Sequence, residues 1–221
     1  MAAVDNSDHS PLKTPKAAAI AGIVFSVLII SITVLFRGSV PASPLDPGAW
    51  LTTDIGSVAL GLNFFPFAGI AFLWFIGVLR DRLGAREDRF FATVFFGSAL
   101  LYIAILFTAA GLIGALVVVA ASTDANVLMN SSAFRFARAA IFVLLNVYAT
   151  KMATVFMIST STVVIYTGIA PRWTAILGYA LALILLVGSY FSTWPIVVLP
   201  LWVLLLSVII LLDNIRPQPA T

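Results

Sequence analysis

Long apolar runs broken by short polar stretches dominate this chain. Six of them, at 17–36, 55–79, 90–121, 139–166, 174–190 and 194–212, match the demands of a bilayer. Crossing about 30 Å of hydrocarbon as a helix takes about 20 predominantly apolar residues. The pattern predicts an all-α, polytopic transmembrane bundle of about six helices. A polar N-terminal tail, 1–16, and a short C-terminal tail, 213–221, flank it. The third run is the longest and overshoots the bilayer at about 1.5 Å per residue, so it must tilt, bend or project. Phe191, Ser192 and Thr193 alone separate the last two runs, which predicts an antiparallel hairpin. Val40, Pro41 and Ala42 loosely resemble a signal-peptidase site, but the first run exceeds the usual apolar length of about 7–15 residues. It is expected to stay as the first helix.

Composition supports lipid as the solvent. The 221 residues are 62% hydrophobic and 10% charged, against about 25% charged in a typical soluble domain. The net charge of +3 is no nucleic-acid signal, because most Lys and Arg flank the apolar runs. Basic residues there encode orientation. With the N-terminus inside, Lys13, Lys16, Arg80, Arg82, Arg86, Arg89, Arg172 and Arg216 fall on the cytoplasmic side, and only Arg37, Arg135 and Arg138 fall outside. Both termini are therefore expected in the cytoplasm, and the cytoplasmic (inner) membrane is the expected location. In the outer loops, Trp50 stands where an interfacial aromatic anchor belongs, Thr53 or Asp54 can cap the second helix, and Asn130-Ser131-Ser132 fits a glycosylation sequon.

The residue inventory narrows the chemistry. There is no Cys, and the single His, His9, lies in the polar N-terminal tail. Thiolate chemistry, His-based zinc or haem ligation and Ser–His catalysis inside the membrane all lack their groups. No Asp or Glu falls within a run, so paired carboxylates for acid–base work are missing too. The expectation is a non-enzyme with no cofactor, no metal and no catalytic residue.

One ionisable residue lies near the middle of a run. An intramembrane charge is costly, by roughly 2.5–3.5 kcal/mol on insertion scales, and points to function by default. Lys151 shares a helical face with Tyr148, Ser159, Thr162 and Tyr166, and Asn63 sits beside Pro66 in the second run. Three readings stand: Lys151 snorkels to an interface, donates to backbone carbonyls or Asn63, or binds an anionic substrate or headgroup with Tyr148, Asn63, Ser159 and Thr162. Asp54 is the nearest acidic candidate to pair with it. Pro66 bends its helix and frees carbonyls. Ala18/Gly22, Ala110/Gly114, Gly111/Ala115 and Gly178/Ala182 are small residues at four-residue spacing, suited to close helix approach or a dimer face.

The loop Gly77-Val78-Leu79-Arg80-Asp81-Arg82-Leu83-Gly84 follows local rules, with basic residues ending one helix, Glu87 and Asp88 starting the next, and Gly84 suited to the turn. Gly77, Asp81, Arg82 and Gly84 also resemble the G-x-x-x-D-R-x-G loop of major facilitator transporters, in the same place between helices two and three. The resemblance implies a cytoplasmic gating latch. Those transporters have about twelve helices in two halves, so it further implies a homodimer. More broadly, Arg80–Gly84, the stretch from Glu87 to Ser98 and the Ala170-Pro171-Arg172-Trp173 turn look like a pattern in uncharacterised bacterial integral membrane proteins of this size, which implies a fold and no activity.

Two functions are expected from the residues, both in contact with the bilayer and neither with nucleic acid. The first is a non-catalytic scaffold or accessory component of a membrane assembly, with a protein partner or a second copy. The second is a small transporter or binding module for an anionic metabolite or lipid, built around Lys151. The topology has a direct check, since the chain lacks Cys: a Ser43→Cys variant is expected to react with an impermeant thiol reagent only from outside the cell, and reaction from the cytoplasmic side alone would invert the assignment.

Overall fold

In hydrocarbon a backbone N–H or C=O finds no water, so the chain must satisfy its own polar groups, and a helix does this within each segment. The computed structural model describes residues 14–39, 48, 50–81, 89–188 and 195–215. They are almost wholly helical, with no strand among them. The elements are α1 (Thr14–Ser39), α2 (Trp50–Thr53), α3 (Ile55–Asp81), α4 (Arg89–Ala120), α5 (Ala125–Asn130), α6 (Ser132–Val143), a π-helical turn (Leu144–Ala149), α7 (Thr150–Thr167), α8 (Arg172–Gly188) and α9 (Pro195–Ile215). Five helical runs are long and apolar enough to cross a membrane: Lys16–Arg37, Ile55–Arg80, Ala92–Ala120, Ser132–Thr167 and Pro195–Asp213. The protein is therefore a membrane protein. α8 is apolar but has 17 residues, about 25 Å at the helical rise. The expected tails fall mainly on residues outside those described.

The largest departure from the sequence pattern comes between α4 and α7. The polar stretch from Ser122 to Arg138 is not a loop. Asp124 accepts from the backbone N–H groups of Asn126 and Val127 and caps α5, and the Ser131 hydroxyl accepts from Phe134 N–H at 3.1 Å and caps α6. Side-chain oxygens at these positions satisfy the orphan donors of a helix start. The fourth run thus begins at Ser132 rather than at 139, and extends for 36 residues to Thr167. Its first part is amphipathic, with Phe134, Arg138 and Ile141 buried at four- and three-residue spacing and Phe136 exposed. α7 ends at Gly168, whose left-handed backbone (φ 64°) lets its N–H return to Val164 O.

α1 lies between α3 and α9; α4 joins α3 to α7, and α8 packs along α7. α8 packs mainly on α7 and α9 mainly on α1, and the last two helices touch each other only locally. Trp202 of α9 bridges to α8, its indole N–H donating to Thr174 O at 3.2 Å. Residues 189–194, with the expected link, lie outside the described residues. The bundle centres on rings: Phe72 of α3 lies 4.5 Å from Phe25 of α1, 5.7 Å from Tyr102 of α4 and 5.2 Å from Phe156 of α7, centroid to centroid. α3 runs through Pro66 without a break.

The small-residue pairs divide. A Cβ on Gly22 would stand 2.0 Å from Ser207 Oγ and 2.9 Å from the Phe75 ring, and one on Gly178 would stand 2.1 Å from Ser161 Oγ and 2.7 Å from the Trp202 ring. Those two sites are where helices approach closely. Gly111 has open space around it, and Gly114 would meet only Leu62, at 3.8 Å. The expectation of tight packing at Gly114 does not hold, because no neighbouring backbone comes near it. Alanine is the better helix former by about 1 kcal/mol, so the two glycines should respond oppositely. Gly178→Ala is expected to lower the thermal midpoint in detergent, overpacking costing about 1–3 kcal/mol, whereas Gly111→Ala should leave it unchanged or raise it.

Candidate functional site

Lys151 is answered within the bundle. Its ammonium donates to Leu186 O at 2.5 Å. Leu186 is in the last turn of α8, where carbonyls lack helical partners and a positive charge meets the negative end of the helix dipole. The residues expected beside it do not gather there. Tyr148 is 55% exposed and Tyr166 81% exposed, while Ser159 is buried. Thr162 donates to Ile158 O and shares a 2.7 Å hydrogen bond with Tyr179 OH. Asn63 is exposed on α3 and donates to Ala59 O, and Asp54 accepts from the Thr53 hydroxyl at 2.9 Å. The π-helical turn explains part of the scatter: a widened turn ending at Ala149 shifts the register between Tyr148 and everything after it.

In the loop motif, Gly77 is exposed on α3 and Asp81 ends that helix, while Arg82 and Gly84 lie outside the described residues. Arg80 stacks over the Phe96 ring at 5.3 Å, tying the end of α3 to the start of α4.

A cavity of about 390 Å³ opens elsewhere, among α1, α3, α4, α6, the π-helical turn and the start of α9. On each helix its lining residues lie one to a few turns along from the aromatic centre. Ile29 and Ile32 follow Phe25, Leu106 follows Tyr102, and Phe65 precedes Phe72. Most of the wall is aliphatic or aromatic.

Two guanidinium groups and an indole supply its polarity. Arg138 lines it at only 4% exposure, with its guanidinium carbon 6.0 Å from the Phe134 ring centre, at the outer reach of a cation–π contact. Arg37, exposed at the end of α1, stands at the mouth. Trp50 lines the cavity at 2% exposure, and its indole N–H has no hydrogen-bond partner among the described residues. Trp50 is thus inside the bundle, not facing lipid as an interfacial anchor. Gly48 makes this possible. Its backbone is left-handed (φ 86°), and a Cβ there would stand 2.4 Å from the Phe134 ring. Only glycine lets the chain pass over Phe134 before turning into α2.

The remaining polar lining is committed. The Thr33 hydroxyl donates to Ile29 O at 2.8 Å, and the Asn146 amide N–H donates to Phe142 O at 3.0 Å. No Asp or Glu is among the described lining residues. The cavity therefore offers hydrogen-bond donors and positive charge within an apolar wall. Leu145 and Asn146 belong to the π-helical turn, and Thr150 Oγ1 donates to Leu145 O at 3.1 Å across that wider turn. Turns of this kind occur often at functional sites.

By their place in the sequence pattern, Arg37, Trp50 and Arg138 read as outer-loop or interfacial residues; the structure brings all three to the cavity. The signal that places Arg138 inside is its spacing from Phe134 and Ile141 on one helical face. Lys151, by contrast, is tied to a helix end. Lys151→Met should lose about 1 kcal/mol of hydrogen bonding, a fall of a few degrees in the thermal midpoint for a chain of this size. An unchanged midpoint would show that the cap contributes nothing.

Among known protein families, curated proteins and solved structures nothing matches this chain.

Proposed function

We propose that this chain is a six-span protein of the cytoplasmic membrane, with both termini inside, that acts as a non-catalytic binding or transport module for an anionic small molecule held in the Arg138 cavity. The observation that carries this reading is a nine-tenths-buried guanidinium lining a cavity of about 390 Å³. That volume falls in the range of about 300–1,000 Å³ typical of small-molecule pockets, which pair apolar walls with a few placed polar groups. Charged side chains inside membrane proteins usually mark a ligand or ion path. Five spans follow from length and composition, and α8 is the proposed sixth; its shortness is offset where Lys151 closes its last turn. The basic residues inside outnumber those outside, which favours the orientation.

A second reading, the scaffold, draws on α4. Ala104, Thr108, Gly111 and Ala115 form an exposed face of small residues with space beside Gly111. Such a face suits a partner helix or a second copy of this chain.

Native mass spectrometry of the full chain in a mild detergent separates the two. The expected spectrum carries a small anionic adduct that Lys151→Met retains and Arg138→Leu loses while keeping its helical circular dichroism. A protein-sized or dimer mass abolished by Gly111→Leu, with no small adduct in any variant, would favour the scaffold instead.

A further inference from the structure

We infer that the cavity takes a single-chain anionic amphiphile, its oxyanion held between the Arg138 guanidinium and the Trp50 indole N–H and its hydrocarbon tail along the aliphatic wall. This rests on the proposed role of the cavity as a binding site and names the class of ligand.

The head follows from the polar inventory. A ligand here meets guanidinium and indole donors, while the Thr33 hydroxyl and the Asn146 amide N–H are directed to backbone carbonyls. An amine, or a sugar with many hydroxyls to donate, would find few acceptors and a repelling charge. A carboxylate or phosphate accepts from both groups at once. A guanidinium has five N–H donors in a fork that fits two oxygens, so bonds it makes elsewhere leave others for the ligand. The indole N–H is the sharper clue. It is donor-only and 2% exposed, and it lacks a partner among the described residues. Buried donors of this kind are normally satisfied, and an oxyanion beside Arg138 would satisfy it.

The tail follows from the wall and the volume. Ile29, Ile32, Leu106, Ile113 and Leu145 present branched aliphatic carbon with no polar atom to meet a second head. At roughly 30 Å³ for a water-sized group, a cavity of 390 Å³ holds about a dozen such groups. That suits a head with one medium-length chain. A two-chain phospholipid is several times larger and would leave most of itself outside. A free fatty acid and a single-chain phosphate ester share the relevant chemistry, and competition between them distinguishes the two sources.

Trp50 supplies the readout, because a bromine atom quenches a nearby indole. The full chain is placed in lipid nanodiscs with Trp74, Trp173 and Trp194 changed to Phe. The first two are exposed and would report lipid-phase probe. Trp202 stays, being part of the α8–α9 packing, and the same protein with Trp50→Phe gives the background. The probes are dodecanoic acid brominated beside the carboxylate, the same acid brominated at the chain end, the matching bromo-alcohol, and a brominated two-chain phosphatidylglycerol.

The expected result is saturable, Trp50-dependent quenching by the acids, deeper for bromine beside the carboxylate. Binding should be at least tenfold weaker for the alcohol and for Arg138→Leu, and preserved in Arg138→Lys, which keeps the charge. Loss in the Lys variant as well, with native circular dichroism, would still support the assignment and add a need for the planar fork. Equal quenching by alcohol and acid overturns the anionic head and leaves the cavity a binding site. Equal saturable quenching by the two-chain lipid overturns the single-chain claim. Absence of saturable quenching by every probe overturns the amphiphile assignment; a small anionic adduct still lost in Arg138→Leu would then leave the binding-site reading standing, and its absence would overturn that reading too. Displacement of the bromo-acid that is at least tenfold more potent with dodecyl phosphate than with dodecanoic acid assigns the head as a phosphate, and the converse assigns a carboxylate.

Discussion

Four helices meet at one ring. Phe72 of α3 touches Phe25, Tyr102 and Phe156, so α1, α4 and α7 are each fixed against it. In water the hydrophobic effect would collapse these helices; in lipid the tails are as apolar as the side chains, and association depends on shape, dispersion and ring electrostatics. Tilted and edge-on ring pairs contribute about 0.5–1.5 kcal/mol each beyond their area. Phe95, 5.3 Å from Phe156, extends the layer along α4. The layer sets the distances between these helices.

On either side of that layer the bundle is built differently. Toward the N-terminal end of α1, Gly22 admits Ser207 and Phe75, and on the far flank Gly178 admits Trp202 and Ser161. Toward the C-terminal end of α1, Phe36 still packs against Gly61 and Phe65 of α3, and the cavity opens beside that contact. The amphipathic α6, the π-helical turn and the Gly48 bend fill that end with short elements instead of straight spans. A dry void forfeits the contacts its lining would otherwise make. Walls braced by caps at Ser131 and by the Gly48–Phe134 packing keep it from closing, and an occupant of matching shape restores the lost contacts.

What the sequence made legible divides along the same line. The apolar runs could be read because lipid allows few charges, and their positions agree closely with α1, α3, α4 and α9. Hydropathy was blind to the start of the fourth run, where Ser132, Arg135 and Arg138 lower the average although the helix is already under way. Periodicity carried what the average lost: Phe134, Arg138 and Ile141 mark one buried face. Small-residue spacing was only half informative. Gly178 and Gly111 sit in equivalent motifs, yet one holds a Trp ring and the other faces open space. Spacing names the face of a helix; the partner across from it depends on topology that no single helix encodes.

The two inward cations show why a charge count misplaces a site. Lys151 drew attention because it interrupts an apolar run, but a compact ammonium on a flexible stem can reach a helix end, and it does so at Leu186 O. Arg138 escaped attention because it sits near other polar residues, and by count it belongs to a loop. Its guanidinium is planar, weakly hydrated and always charged, and it stands among Phe134, Ile141 and the cavity wall. A helix terminus supplies Lys151 with a dipole for which the bundle needs no ligand. Arg138 stands where the described lining is mostly aliphatic or aromatic and carries no carboxylate. Lys151 is thus tied to the end of α8, whereas Arg138 lies beside the open volume, and that difference in setting is what the proposed site rests on.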